Sequence, residues 1–109
     1  INQEYCKKVI VLVPKQVHPE HYHIKKKESF QILWGDLELT LNSVKMQLKP
    51  GDIITIDKME KHSFSTNNGV VFEEISTTAF SNDSVYTDEK INNITNRKTS
   101  LRDYWGRNF

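Results

Sequence analysis

The stretch QILWGDLELTLNSVKMQLKPGDIITI, residues 31–56, decides how this chain folds. Apolar residues alternate with polar ones through Leu37, Leu39 and Leu41, and again through Val44, Met46 and Leu48. That two-residue period belongs to strands with one buried face. Gly35-Asp36 and Pro50-Gly51-Asp52 punctuate the runs; proline presets φ, and glycine accepts the positive φ of a tight turn. Working outward, KVIVLV (8–13) is a β-branched run stopped by Pro14. KHSFSTNNGVVFEEISTT (61–78) predicts a hairpin turning at Asn67-Asn68-Gly69. Roughly eight short strands separated by turn residues imply an all-β chain, a small antiparallel barrel or sandwich.

From about Ser81 the character changes. SNDSVYTDEKINNITNRKTSLRDYW is polar, with a short helix expected near Asp88–Asn93, and it has too few apolar residues for a domain of its own. One domain over residues 1–109 is expected, with the barrel at about 6–80 and a segment at about 81–109 wrapping over it. A chain of 109 residues buries roughly two thirds of its unfolded surface, enough for a core without disulfides. Fifteen basic residues balance fourteen acidic ones, so no basic face recruits nucleic acid. No apolar run approaches the ~20 residues of a membrane span. Cys6 is the single cysteine; it is expected to be buried, and it fits a reducing, cytoplasmic setting. The chain starts at Ile1, which suits either a trimmed start or a domain cut from a longer protein.

Ahead of this region stands HYHIKKKESF (21–30). In a strand, residues i and i+2 share a face, so the imidazoles of His21 and His23 can lean onto one ion at distances near ~2.1 Å. Glu28 opens the next strand toward the same space, and His62 heads a later one. Three histidines and a carboxylate make a nitrogen/oxygen site for one divalent metal ion, with Mn²⁺, Fe²⁺, Zn²⁺ and Ni²⁺ all compatible. His18 has the opposite strand parity and is expected at the surface. Lys25, Lys26 and Lys27 read as a solvated turn. Phe30, Ile32 and Trp34 share the parity of Glu28 and are expected to line the barrel. Tyr86 reads as an anchoring aromatic or a cover over a ligand, and Tyr104, Trp105 and Phe109 as groups that pack on the barrel or on a partner subunit.

His21, His23, Glu28 and Gly35 match, position by position, the pattern H-x-H, four residues, E, six residues, G. The chain thereby resembles the cupin family; Pro50, Gly51 and His62 match the family's second motif more loosely. The resemblance implies a double-stranded β-helix. More narrowly, KVIVLVPKQVHPEHYH, GVVFEEIS and SVYTDEKI resemble sugar isomerases of the D-lyxose isomerase type, and similar cupin domains are attached to N-acetylneuraminate synthase-like enzymes. That likeness implies a small-molecule sugar or sugar acid as substrate, a homodimer, and catalytic roles for Glu74, Asp88 and Lys8. Over the residues given, the chain is expected to be shorter than those isomerases and without their additional N-terminal elements. Strand parity sets Phe72, Glu74 and Ser76 on one face and Val71, Glu73 and Ile75 on the other. The apolar pair Val71/Ile75 argues for Glu73 inward, whereas the resemblance favours Glu74. Asp88 also reads as the cap of the short helix, and Lys8 as a solvated strand residue. A non-catalytic sugar-binding or regulatory module is the alternative reading, and an iron dioxygenase a third.

Overall fold

A computed structural model describes residues 2–78 and 83–92. Among them the chain forms β1 (Tyr5–Leu12), β2 (Val17–His23), β3 (Glu28–Gly35), β4 (Leu37–Leu41), β5 (Val44–Leu48), β6 (Ile53–Ile56), β7 (His62–Ser65), β8 (Val70–Thr77), β9 (Ser84–Tyr86) and a short α1 (Glu89–Asn92). A four-stranded sheet runs β1-β8-β3-β6 and a five-stranded sheet runs β5-β4-β7-β2-β9, every pair antiparallel.

The expected hairpin at residues 61–78 does not form. β7 lies in the five-stranded sheet and β8 in the four-stranded one, so the Asn67-Asn68-Gly69 turn carries the chain between sheets. Gly35-Asp36 and Pro50-Gly51-Asp52 do the same for β3 to β4 and for β5 to β6. A hairpin forms instead between β4 and β5, where Asn42 (φ 49°) and Ser43 (φ 70°) supply the two positive φ values of a type I′ turn. Alternation told each strand which face to bury, but the turn residues suit a crossing as well as a hairpin.

Side chains from both sheets meet in one core: Leu12, Phe30, Ile32, Ile56, Val70 and Phe72 from the first, Leu37, Leu39 and Phe64 from the second. Phe30, Phe64 and Phe72 pack edge-on or tilted with centroids 4.8–5.7 Å apart, each burial contributing about 1.5–3 kcal/mol. Gly35 (φ +88°) lets β3 turn against Gly69, whose carbonyl oxygen would lie 2.1 Å from a Cβ at that position. Trp34 corrects the sequence reading. A register shift between Ile32 and Trp34 in the β3–β8 ladder rotates the indole outward, and it is 60% exposed.

The region expected to wrap the barrel lies largely outside the described residues, and so do Tyr104, Trp105 and Phe109. Its described part forms β9, which pairs with β2, and α1. The helix falls where it was expected; β9 was not foreseen, because SVY is too short to show a period. Cys6 is buried as expected. Among the described residues no helix is long and apolar enough to cross a membrane.

Candidate metal centre

Two cross-strand rows face each other at one end of the core. In the five-stranded sheet, Leu41, His62, His21 and Tyr86 are successive register partners, and His23 pairs with Ser84 two residues along. In the four-stranded sheet, Cys6, Ser76, Glu28 and Ile56 form one row, and Lys8, Glu74, Phe30 and Ile54 the next. Each cross-strand neighbour sits about 4.5–5.5 Å away. His21 and His62 therefore meet by pairing alone, and sheet stacking sets Glu28 opposite them.

His21, His23, Glu28 and His62 are all buried, and one ligand atom from each lies within 4.8 Å of the others. Two backbone carbonyls and one serine hydroxyl orient the rings. His21 Nδ1 is 3.0 Å from the Pro19 carbonyl, His62 Nδ1 2.9 Å from the Glu60 carbonyl, and His23 Nδ1 3.1 Å from Ser84 Oγ. A carbonyl only accepts, so Nδ1 of His21 and His62 carries the proton and the Nε2 lone pair is left for an ion. His62 Nε2 lies 3.0 Å and His23 Nε2 3.3 Å from Glu28 Oε1. Yet Glu28 Oε1 and Oε2, His62 Nε2 and the neighbouring Ser76 Oγ are buried without a hydrogen bond. Buried polar atoms are rarely left so, and a cation among them removes the penalty. The donor set fits a divalent ion.

Electrostatics agree. Burial works to raise the pKa of Glu28, but its polar and charged surroundings, the Lys26 ammonium 3.3 Å from Oε2 among them, outweigh it and hold the carboxylate well below its usual range. Burial lowers His21 far below an ordinary histidine, and the neighbouring His18 and His62 lower it further. The ring is neutral, as a ligand must be.

His18 is a correction. A register shift between His18 and His21 in the β2–β7 ladder breaks the parity count; Pro19, which has no N–H for the ladder, lies in that bulge. The His18 ring turns toward the site, with centroids 4.5 Å from His21 and 4.4 Å from Phe64, and burial lowers its pKa to about 3.

Of the three expected catalytic residues, the fold brings two together. Glu74 faces inward beside buried Phe72 and Ser76, while Glu73 points out and pairs with Lys7 at 3.2 Å. Ile75 is 48% exposed, so the Val71/Ile75 argument for Glu73 does not hold. Lys8 is half-buried, is the register partner of Glu74, and lowers the pKa of Glu74 through its charge. Burial and the charge of Glu28 nonetheless raise Glu74 above an ordinary glutamate, as suits a proton-transfer group. Asp88 stands apart. It is exposed, and its carboxylate accepts from the Lys90 N–H at 3.0 Å as the cap of α1.

Sequence reasoning missed Lys26, which it placed in a solvated turn. Lys26 is buried, with Nζ 3.3 Å from both Glu28 Oε2 and Glu74 Oε2, whereas Lys25 and Lys27 are exposed. Burial disfavours its charge, but Glu74 and Glu28 more than compensate and raise its pKa. The signal that could have found it is the carboxylate at Asp83, distant in sequence. Asp83 is buried and accepts the backbone N–H groups of Ile24, Lys25 and Lys26 at 3.0, 2.6 and 3.0 Å.

A family model described as "Cupin domain" matches residues 8–73. The D-lyxose ketol-isomerase of Thermofilum sp. (strain ex4484_79) is 25% identical over 121 aligned positions, covering 85% of this chain and 67% of that protein. Among solved structures, a sugar phosphate isomerase from a cupin superfamily of Silicibacter pomeroyi superposes with a TM-score of 0.68 at 21% identity, over 78% of this chain and 57% of that one. KdgF from Halomonas sp. superposes at 0.69 and 15% identity, over 72% and 73%. These two likenesses concern the fold, and the chain spans little more than half of the Silicibacter isomerase.

Proposed function

Because the chain belongs to the cupin family, we propose that it is a metal-dependent cupin acting on sugars, by aldose–ketose isomerisation of the D-lyxose isomerase type. The observation that carries this reading is the inward-facing, half-buried Glu74 beside a buried cluster of three histidines and Glu28. The relative that is a D-lyxose ketol-isomerase supports it.

His21, His23, Glu28 and His62 would hold the ion, which when bound supplies Lewis acidity toward adjacent carbonyl and hydroxyl oxygens of a sugar. Glu74 takes the proton from the carbon beside the carbonyl and returns it to the neighbouring carbon, while a hydroxyl proton passes to the former carbonyl oxygen. Lys8, across from Glu74, offers positive charge to the oxygen that becomes anionic. Asp88 enters this reading only through the resemblance of its loop. A homodimer belongs to the proposal and is supported by the exposed Val9, Val11, Leu33, Ile53 and Ile75 on the four-stranded sheet. A cytoplasmic location fits the single buried Cys6.

A second reading is a non-catalytic sugar-binding module, such as the cupin domains attached to N-acetylneuraminate synthase-like enzymes. The ion pair between Glu74 and Lys26 favours it, because it engages a carboxylate oxygen that a proton-transfer role needs free. Incubation of the manganese-loaded protein with pentoses and hexoses in D₂O separates the two. Deuterium at C1 or C2, absent with Glu74→Gln, is expected for the isomerase. No deuterium in any sugar, with metal bound, overturns it.

A further inference from the structure

We infer that Ser76 is a ligand-binding residue, whose hydroxyl hydrogen-bonds a hydroxyl oxygen of a polyol or open-chain sugar held at the metal centre. It thereby selects ligands whose carbon chain reaches beyond the oxygens on the ion. The inference rests on the metal-site reading above and deepens it, since neither the four ligands nor Glu74 requires a serine at this position.

Ser76 is 4% exposed, and its Oγ is buried without a hydrogen bond. Its cross-strand neighbours are Cys6 on one side and Glu28 on the other, and neither the thiol nor the carboxylate reaches it. The hydroxyls that follow in the chain are partnered. Thr77 Oγ1 accepts from the Lys27 N–H at 3.1 Å, and Thr78 Oγ1 donates to the Asn2 carbonyl. Thr66 is buried too, and its Oγ1 accepts from the Gly69 N–H at 3.0 Å. Among the described residues, Ser76 is thus the buried serine or threonine whose hydroxyl is left over. Leaving it so weakens the fold, because the group gives up its water and gains nothing in return. An alanine would fill the place without that loss.

The surroundings say what the hydroxyl meets. Three imidazoles and a carboxylate leave a divalent ion positions that oxygen ligands fill, and a neutral hydroxyl can donate to or accept from such an oxygen or its neighbour. The strand gives the direction. Glu74 and Ser76 stand two apart on the inner face of β8, about 6.6 Å from one another along the strand. Glu28, the candidate metal ligand, is the register partner of Ser76, and Phe30 that of Glu74. Beyond Glu74 the strip is closed by Phe30 and Phe72 of the core. A carbon chain with its reacting end at Glu74 therefore runs toward Ser76, which meets a hydroxyl farther along it.

The test titrates D-arabinitol, a five-carbon polyol, and glycolate, which has two carbons, calorimetrically into manganese-loaded protein whose metal content is measured first. Ser76→Ala is expected to keep its metal, to bind D-arabinitol about fivefold or more weakly, and to bind glycolate as wild type does. Its metal-free urea midpoint is expected at or above that of wild type, since an unpartnered hydroxyl is gone. Thr77→Val, which removes a partnered hydroxyl, is expected to do the opposite, with a lower midpoint and unchanged binding. Ser76→Thr restores a hydroxyl and should recover part of the affinity; Ser76→Cys serves if the alanine variant does not fold. An alanine or cysteine variant that retains metal and binds D-arabinitol as tightly as wild type overturns the inference, and so does a loaded wild type that ignores D-arabinitol. Weaker binding of both probes together with a lower midpoint marks a structural role and overturns it too. Ser76-dependent binding without deuterium exchange into any sugar removes the isomerase reading and leaves this one standing. Exchange that continues while D-arabinitol binding is unchanged in Ser76→Ala does the reverse.

Discussion

Glu28 Oε1 stands 3.0 Å from Nε2 of His62, both sealed from solvent and neither in a hydrogen bond. Two such atoms, contributed by facing sheets, are an arrangement that a bound cation stabilises and an empty site does not.

The first expectation concerns that cation. Metal at a hundred times its dissociation constant stabilises the fold by about 2.7 kcal/mol, which raises Tm by roughly 10 °C for a chain of this size. Chelation should reverse the shift. His21→Ala and His62→Ala should each abolish stoichiometric metal and the shift with it. Ser84→Ala, which removes the partner of His23 Nδ1, should keep the site but weaken affinity about tenfold or more. Metal analysis with thermal melts reads all three.

Gly35 and Gly51 make a controlled pair. Both adopt positive φ, +88° and +93°, but a Cβ at Gly35 would lie 2.1 Å from the Gly69 carbonyl oxygen whereas nothing lies within 4 Å at Gly51. Gly51→Ala should cost about 1–2 kcal/mol from the left-handed backbone alone. Gly35→Ala should cost at least about 3 kcal/mol, since two backbones must separate. Urea unfolding compares them, and equal losses would mean that the close approach is not needed.

Asp83→Ala removes one carboxylate from three backbone donors. A loss of about 2–4 kcal/mol is expected, because hydrogen bonds to a charged acceptor are worth more than neutral ones. Asp83→Asn should recover part of it. The amide exchange of Ile24, Lys25 and Lys26 should accelerate in the alanine variant before that of β8.

Acid should weaken the metal-free protein early. His18 titrates at about 3 in the fold against 6.5 ordinarily, and His21 is lowered as well. Between these limits the unfolded chain binds more protons than the folded one, so stability rises with pH. It is fully present above 6.5 and is lost as pH falls below that value. Urea midpoints of chelated protein should therefore drop between pH 6.5 and 5, and His18→Phe should flatten the slope. A flat wild-type profile over that window would refute the buried neutral histidines.

Much of this was legible in the residue order. Alternation in 37–48 marked the strands of the sheets, and the spacing of His21, His23 and Glu28 marked a candidate ligand cluster that the fold gathers with His62. What misled were places where the period breaks. The bulge in β2 turned His18 inward and the one in β3 turned Trp34 outward, because one inserted residue reverses every later parity count.

The residue order by itself determined that this is an all-β chain and which side chains could share an ion, since both depend on a period of two and on donor chemistry that local sequence carries. Only the tertiary structure decided that β7 and β8 part into different sheets, that Glu74 rather than Glu73 faces the cluster, and that Lys26 joins it. Those outcomes depend on which strand lies opposite and on Asp83 reaching back to the 24–26 turn. They are contacts across long sequence separations, and no local pattern encodes them.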